Sequence, residues 1–234
     1  MESLAALGKI VVVSPHLDDA VFGCGELLAA CPGSIVVTVF AGSPARYSEL
    51  TEWDAAAGFG AGEDVMAARR DEDRRALAIV GALPIWLNYC DSQYQRLPTA
   101  QTRAAALERA LARHAPETVI VPFGLFHSDH KRVHEAALIT LNRDQGWRWL
   151  TYEDTLYRRI PGLVQERLAA LLSAGITATP VALEFLRGHK TRKGRAVRCY
   201  ASQLRALATP ARPSHLDAFS PEAYWRLAIR AQHD

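Results

Sequence analysis

The chain is short of cysteine, of long apolar runs and of unbalanced charge, and each shortage removes a class of protein. Cys24, Cys31, Cys90 and Cys199 form no CxxC pair and no metal-finger spacing, so neither a disulfide framework nor a cysteine-ligated metal is expected. The first residues, MESLAALGKIVVVS, lack the basic-then-apolar order of a signal peptide. The cysteines therefore read as reduced core thiols of a cytoplasmic protein. Every apolar stretch is interrupted by Gly, Pro or charge well before the roughly 20 residues of a membrane-spanning helix, so no membrane span is expected. Lys and Arg number 27 against 25 Asp and Glu, a net charge of +2, too little for nucleic-acid binding driven by a field of one sign. Gly23-Cys24-Gly25 begins like a dinucleotide loop, but Leu28 stands where its third glycine is required, and no G-x-S-x-G serine-hydrolase elbow occurs.

What remains is a globular composition. Hydrophobic residues make up 49% and charged residues 22% of 234 positions, enough to bury a substantial core without staples. Short β-branched runs alternate with longer Ala-, Leu- and Arg-rich stretches of helical period, the signature of βα units around a largely parallel sheet. Strands are expected at 9–14, 34–40, 84–89 and 118–123, and helices at 20–30, 62–80, 99–115 and 130–141. Beyond residue 145 the pattern is weaker, with strands expected at 149–157 and 180–186, a helix at 161–173 and a basic helix at 190–207. No linker, repeat or low-complexity stretch divides the chain, so residues 1–234 read as a single α/β domain with helices flanking a mostly parallel sheet.

Two polar constellations follow the two most apolar strands. Open α/β sheets bind ligands at the carboxyl ends of their strands, which gives weight to Ser14-Pro15-His16-Leu17-Asp18-Asp19 after the first. The simpler role for Asp18 or Asp19 is to cap the following helix. The second constellation is His127-Ser128-Asp129-His130, with His134 one helical turn on. Catalytic zinc takes about three protein ligands and keeps a position open. His16, Asp19 and one histidine of the second group meet that count. Asp18 is then free as general base, and His127 is left to polarise a carbonyl or protonate a leaving group.

These residues resemble the LmbE-like, or PIG-L, zinc-dependent N-deacetylases, marked by a P-H-x-D-D motif and a later H-x-D-H motif. Here they stand as Pro15-His16-Leu17-Asp18-Asp19 and His127-Ser128-Asp129-His130. Arg69-Arg70-Asp71-Glu72-Asp73 and the stretch 193–203, with Tyr200-Ala201-Ser202-Gln203, extend the likeness over most of the chain. The resemblance implies a Rossmann-like domain and Zn²⁺ held by His16, Asp19 and His130, with Fe²⁺ or Co²⁺ as other ions for such a site. It also implies Asp18 as general base, His127 assisting at the substrate carbonyl and Asp129 orienting a histidine. The family motif commonly reads P-H-P-D-D-E, whereas Leu17 and Ala20 stand here, so a side chain at the mouth of the site differs.

The expected partner is a small N-acylated molecule, an amino sugar or sugar conjugate, from which the acyl group is hydrolysed. A wider amidase and a non-catalytic sugar-binding protein with a structural, four-ligand metal are the alternatives, the latter calling on His134. Arg70 is expected to grip sugar hydroxyls, and Asp91, just past the third strand, to meet a hydroxyl or end the strand. Residues 41–62 lack any period and carry Tyr47, Trp53, Asp54 and Phe59. They are expected to wall or cover the site, with Trp53 against substrate. The basic run 187–198 reads as a solvated helix face or a partner for local carboxylates.

Overall fold

A computed structural model describes residues 3–47, 49–94, 97–143, 146–210 and 214–230; Ser48, within the long unpatterned segment, lies outside them. The opening valine run forms β1, Ile10–Ser14, buried at every position. Successive side chains in a strand point to opposite faces. Val12 accordingly enters the core on one side of the sheet, and Val11 and Val13 enter the core on the other. A strand covered on both faces has no polar side, which is why the run is continuously apolar.

β2 (Ile35–Thr38) and β4 (Thr118–Pro122) are likewise wholly buried. They flank β1 in parallel, with Val12 opposite both Val36 and Ile120. β3 (Leu83–Trp86) lies parallel outside β2, and β5 (Arg148–Tyr152) parallel outside β4. Helices α1 (Asp19–Ala30), α3 (Val65–Val80) and α7 (Arg187–Val197) contribute to one core. Helices α4 (Ala100–His114), α5 (Ser128–Leu141) and α6 (Leu163–Ser173) contribute to the other.

The chain leaves β1 toward β2 and β3 on one side, then returns to place β4 and β5 on the other. Between β1 and β4 the direction of winding reverses, and at such a point the loops after adjacent strands diverge and leave a crevice. His16 to Asp19 leave β1 there and His127 to His130 leave β4 there, so topology brings together two motifs more than 100 residues apart.

The C-terminal third departs from expectation. The sixth strand, β6, is Ile176–Val181, earlier than 180–186. A seventh, β7 (Tyr224–Ile229), gave no alternation strong enough to be expected. It runs antiparallel between β5 and β6, giving the order β3-β2-β1-β4-β5-β7-β6. The expected helix 190–207 is two: α7 ends at Val197, and α8 (Ala201–Leu207) starts after Tyr200, whose backbone leaves the helical region at ψ 55°.

The basic run on α7 turns out to work locally. Arg192 donates to the carbonyls of Ile79 (3.1 Å) and Ala29 (3.0 Å), near the C-terminal ends of α3 and α1. The buried ammonium of Lys193 stands 3.1 Å from Glu222. Glu222 in turn accepts the backbone N–H groups of Glu26 (2.6 Å) and Leu27 (3.2 Å). Those donors follow a kink in α1 at Cys24, where φ is −137°. The Gly-Cys-Gly sequence thus marks a break in the helix, capped from the far end of the chain, rather than a dinucleotide loop.

Candidate active site

The strand exits enclose a cavity of about 420 Å³ lined by His16, Asp18, Asp19, His127, Asp129 and His130, among others. On its floor one oxygen of Asp19 lies 3.2 Å from Nδ1 of His16 and 3.2 Å from Nε2 of His130. His16, Asp19 and His130 offer donor atoms all within 4.8 Å of one another, and so do His16, His127 and Asp129.

Each histidine of the first group meets a second carboxylate through its other ring nitrogen. His16 turns Nε2 to Asp129 at 3.3 Å. Asp129 also accepts from the backbone N–H (3.1 Å) and hydroxyl (3.0 Å) of Ser92, and from Arg132 (2.9 Å). His130 turns Nδ1 to Asp154 at 2.7 Å, and the second oxygen of Asp154 accepts the Leu125 N–H at 2.6 Å. A histidine fixed in this way presents its other nitrogen as a ligand.

The protonation balance carries the same message. Burial alone depresses the His16 imidazole, but hydrogen bonds to Asp129 and Asp19 outweigh it and raise its pKa to about 9. Burial likewise opposes charge on His130, and the charges of Asp19 and Asp154 override it, holding this imidazole well above its usual range. Burial would raise Asp19, yet the charge and hydrogen bond of His130, with those of His16, hold it below the usual carboxylate range. Three buried carboxylates around two imidazoles therefore demand positive charge. A divalent ion among these nitrogen and oxygen donors would supply it, so the residues fit a metal.

Asp18 occupies the N-cap position of α1, but its side chain makes no capping hydrogen bond. The helix-capping role is thus not what this carboxylate does. Burial, then the neighbouring Asp19 charge, push it up to about 6, with Arg69 opposing. His127 caps α5 instead: its Nδ1 accepts the Asp129 N–H at 3.2 Å. That bond assigns the ring proton to Nε2. Burial first, then the charges of His16 and His130, lower its pKa to about 4, so it is a neutral donor rather than a cation.

The surrounding residues sort less evenly. Asp91 and Trp53 line the cavity, and the Trp53 indole donates to Gln203 at 3.0 Å. Arg70 does not reach it. Its guanidinium turns back to the Ala41 carbonyl and lies 5.8 Å over the Trp86 ring. One position earlier on α3, Arg69 is buried, lines the cavity and stands 3.8 Å from Asp91. One step along α3, about 100° around the helix, thus separates the arginine that lines the cavity from the one expected there. Asp73, which could pass for part of an exposed face, is buried and accepts from Trp86 (2.7 Å) and Tyr200 (2.8 Å).

Residues 41–62 contain a short helix, α2 (Glu52–Ala57), started by Thr51, whose side chain accepts the Asp54 N–H. Tyr94 holds Asp54 at 2.8 Å. Tyr47 and Asp54 border a separate, smaller recess and Phe59 another, leaving Trp53 as the aromatic from this segment on the cavity wall. His134 gives Nδ1 to the Pro122 carbonyl at 2.9 Å and does not line the cavity. It is therefore not a fourth ligand in this arrangement.

Asp154, Ser92, Gln93, Tyr157 and Gln203 belong to the site without having been singled out as site residues. Asp154 carried a signal: it lies two residues past the true end of β5, but a strand expected to run to 157 hid that it was an exit residue.

Comparison with known proteins gives the family. The PIG-L family, described as GlcNAc-PI de-N-acetylase, matches residues 11–141. The chain belongs to the PIG-L (LmbE-like) family. Among solved structures, the A40926 pseudoaglycone deacetylase is 26% identical, with 97% of this chain and 100% of that one covered at a TM-score of 0.78. A zinc-inhibited form of teicoplanin deacetylase is 19% identical over 96% of this chain and 100% of that one, TM-score 0.79. The N,N'-diacetylchitobiose deacetylase of Pyrococcus horikoshii is 21% identical over 84% of this chain and 70% of that one, TM-score 0.55. The latter two speak to the fold. No curated protein matches the chain by sequence. Among the described residues, no helix is long and apolar enough to cross a membrane.

Proposed function

We propose that the chain, acting as one domain over residues 1–234, is a metal-dependent hydrolase that removes an N-acyl group, foremost acetyl, from an amino sugar or a sugar-bearing small molecule. The observation that carries this reading is the convergence of His16, Asp19 and His130 on the floor of a substrate-sized cavity, with the uncommitted carboxylate of Asp18 beside them. The family match, described as GlcNAc-PI de-N-acetylase, and the 26%-identical A40926 pseudoaglycone deacetylase support it.

His16, Asp19 and His130 would hold the ion, zinc in this reading. When bound, a divalent ion supplies Lewis acidity at the amide carbonyl and lowers the pKa of water toward neutrality. Asp18, buried beside Asp19 and raised above the usual carboxylate range, takes the proton of the attacking water. It then holds that proton within the cavity for the departing amine, which leaves poorly as an anion. His127 presents its Nε2–H to the carbonyl oxygen as charge develops there. Arg69, Asp91 and Gln93 offer hydrogen-bonding groups of both kinds for hydroxyls.

The test is a panel of N-acetylated amino sugars and their conjugates incubated with metal-replete protein, reading free amine and acetate. Release of both in equal amounts from one member supports the reading. No release across the panel, with metal bound, counts against it.

A further inference from the structure

Outside the catalytic cavity, the segment that precedes α3 folds round the smaller recess of about 50 Å³. Glu49, Asp54 and Glu63 border it together with the glycine-rich turn 60–62, and none of the described residues lining it is Lys, Arg or His. One water occupies about 30 Å³ of liquid, so the space suits an ion with little water and is far too small for a sugar.

Acidic side chains at a surface are ordinarily just solvated, and Glu49 and Glu63, both exposed, would carry no meaning alone. Asp54 differs from them. Only 1% of it is exposed. Its Oδ2 accepts the Tyr94 hydroxyl at 2.8 Å, whereas Oδ1 is buried and has no hydrogen-bond partner among the described residues. A carboxylate oxygen withdrawn from water with nothing to accept is costly, and such atoms are uncommon in folded proteins. The side chains around the recess cannot relieve it. The Tyr47 hydroxyl donates to Asp64 (3.0 Å) and accepts the Met66 N–H (2.9 Å). Glu63 folds back on the turn, where its Oε2 accepts the Gly60 N–H at 3.0 Å. With acceptors for neighbours, the partner that Asp54 calls for is a cation.

We propose that this recess is a calcium site, separate from the catalytic centre, with Asp54 as its buried ligand and Glu49 and Glu63 closing on the ion from the exposed side. Calcium takes about six to eight oxygen ligands from carboxylates, backbone carbonyls and waters in an adaptable geometry. Three carboxylates beside a glycine-rich turn are a donor set of that kind. The lining offers no imidazole or thiolate, which distinguishes it from the group of His16, Asp19 and His130, whose nitrogens suit zinc. Glu49 precedes α2 in the chain and Glu63 follows it, so the ion ties both flanks of that helix to its centre. Trp53, next to Asp54, lines the catalytic cavity, and the tie braces the wall that carries it. The site does not depend on the deacetylase reading.

The experiment titrates calcium chloride into zinc-supplemented protein by calorimetry and follows thermal melting in parallel. A single Ca²⁺ should bind with a Kd of about 0.1–1 mM, and about 10 mM Ca²⁺ should raise the melting point by about 3–10 °C. Mg²⁺ at the same concentration, which dehydrates reluctantly and demands octahedral geometry, should give a much smaller shift. Asp54→Asn should abolish both the heat and the shift with zinc content unchanged, and His16→Ala should retain both. If Asp54→Asn does not fold, the double variant Glu49→Gln, Glu63→Gln decides, and its Kd should rise about tenfold or more. No calcium binding, binding retained in Asp54→Asn, an unchanged Kd in the double variant or an equal shift from Mg²⁺ overturns the proposal. Loss of calcium binding in His16→Ala places the ion in the catalytic cavity and overturns it as well.

Discussion

Buried charge is handled in two ways along α1. At its kink, Glu222 takes two backbone N–H groups and the Tyr224 hydroxyl (2.6 Å), while Lys193 faces Glu222 and donates to the Ser220 carbonyl (2.9 Å). Each charge there is answered by fixed protein groups. At the start of the helix, Asp19, Asp129 and Asp154 gather around His16 and His130, and Asp19, Asp129 and both histidines face a cavity. In the proposed reading a divalent ion would enter that cluster from the open side. A closed buried pair resists removal of either partner, whereas a cluster completed from outside is built for exchange, so the two should respond in opposite ways to mutation.

The sharpest division is expected from His16→Ala or Asp19→Ala. Each should abolish stoichiometric metal and activity while the domain stays folded, as checked by elemental analysis and circular dichroism. Full metal occupancy in both variants would remove the assignment. Next in size, Asp18→Asn should keep the metal and lose about two to four orders of magnitude in kcat, the scale of general acid–base catalysis. Near-normal turnover would move the base elsewhere.

On the other side of the comparison, Lys193→Met should leave Glu222 buried without its cation and cost about 3–5 kcal/mol in urea unfolding. Metal content per folded molecule should be unchanged. Asp154→Ala tests the link between carboxylate and ligand: metal affinity should drop about 10- to 100-fold by chelator competition. An unchanged affinity would make Asp154 a loop anchor alone.

A pH dependence is expected from Asp73, whose carboxyl is pushed up to about 7 by burial, against the hydrogen bonds from Trp86 and Tyr200. Between the ordinary carboxylate value of 3.8 and about 7 the folded chain holds this proton, and the unfolded chain does not. Its contribution to stability thus falls as pH rises through that window, by at most about 1.4 kcal/mol per pH unit. Asp73→Asn should flatten the stability profile relative to the parent between pH 4 and 7, and equal slopes would refute the assignment.

The parallel half of the fold was legible because double burial imposes continuous apolar runs, and β1 and β4 announce themselves in Val11 to Val13 and Val119 to Val121. The candidate site was legible for a related reason: polar residues directly after such runs, as at His16 and His127, stand at the sheet's carboxyl edge. Legibility failed where one side chain answers to a distant partner. Nothing near β7 tells that Tyr224 and Trp225 pair across to β5, or that Glu222 reaches α1. Helical phase is also too fine for sequence alone: Arg69 and Arg70 are adjacent and alike, and packing decides which of them enters the cavity.

The Glu222 cap carries a consequence for biosynthesis. Glu222 lies 196 positions after Glu26, so on a growing chain the second half of α1 emerges long before the carboxylate that satisfies its N–H groups. Contacts that far apart are slow to form, and β7, inserted between β5 and β6, arrives equally late. The helix that opens with Asp18 and Asp19 thus gains its final support only once the last strand leaves the ribosome. A stalled chain ending before residue 222 would display both histidine–aspartate motifs without a finished scaffold to hold them.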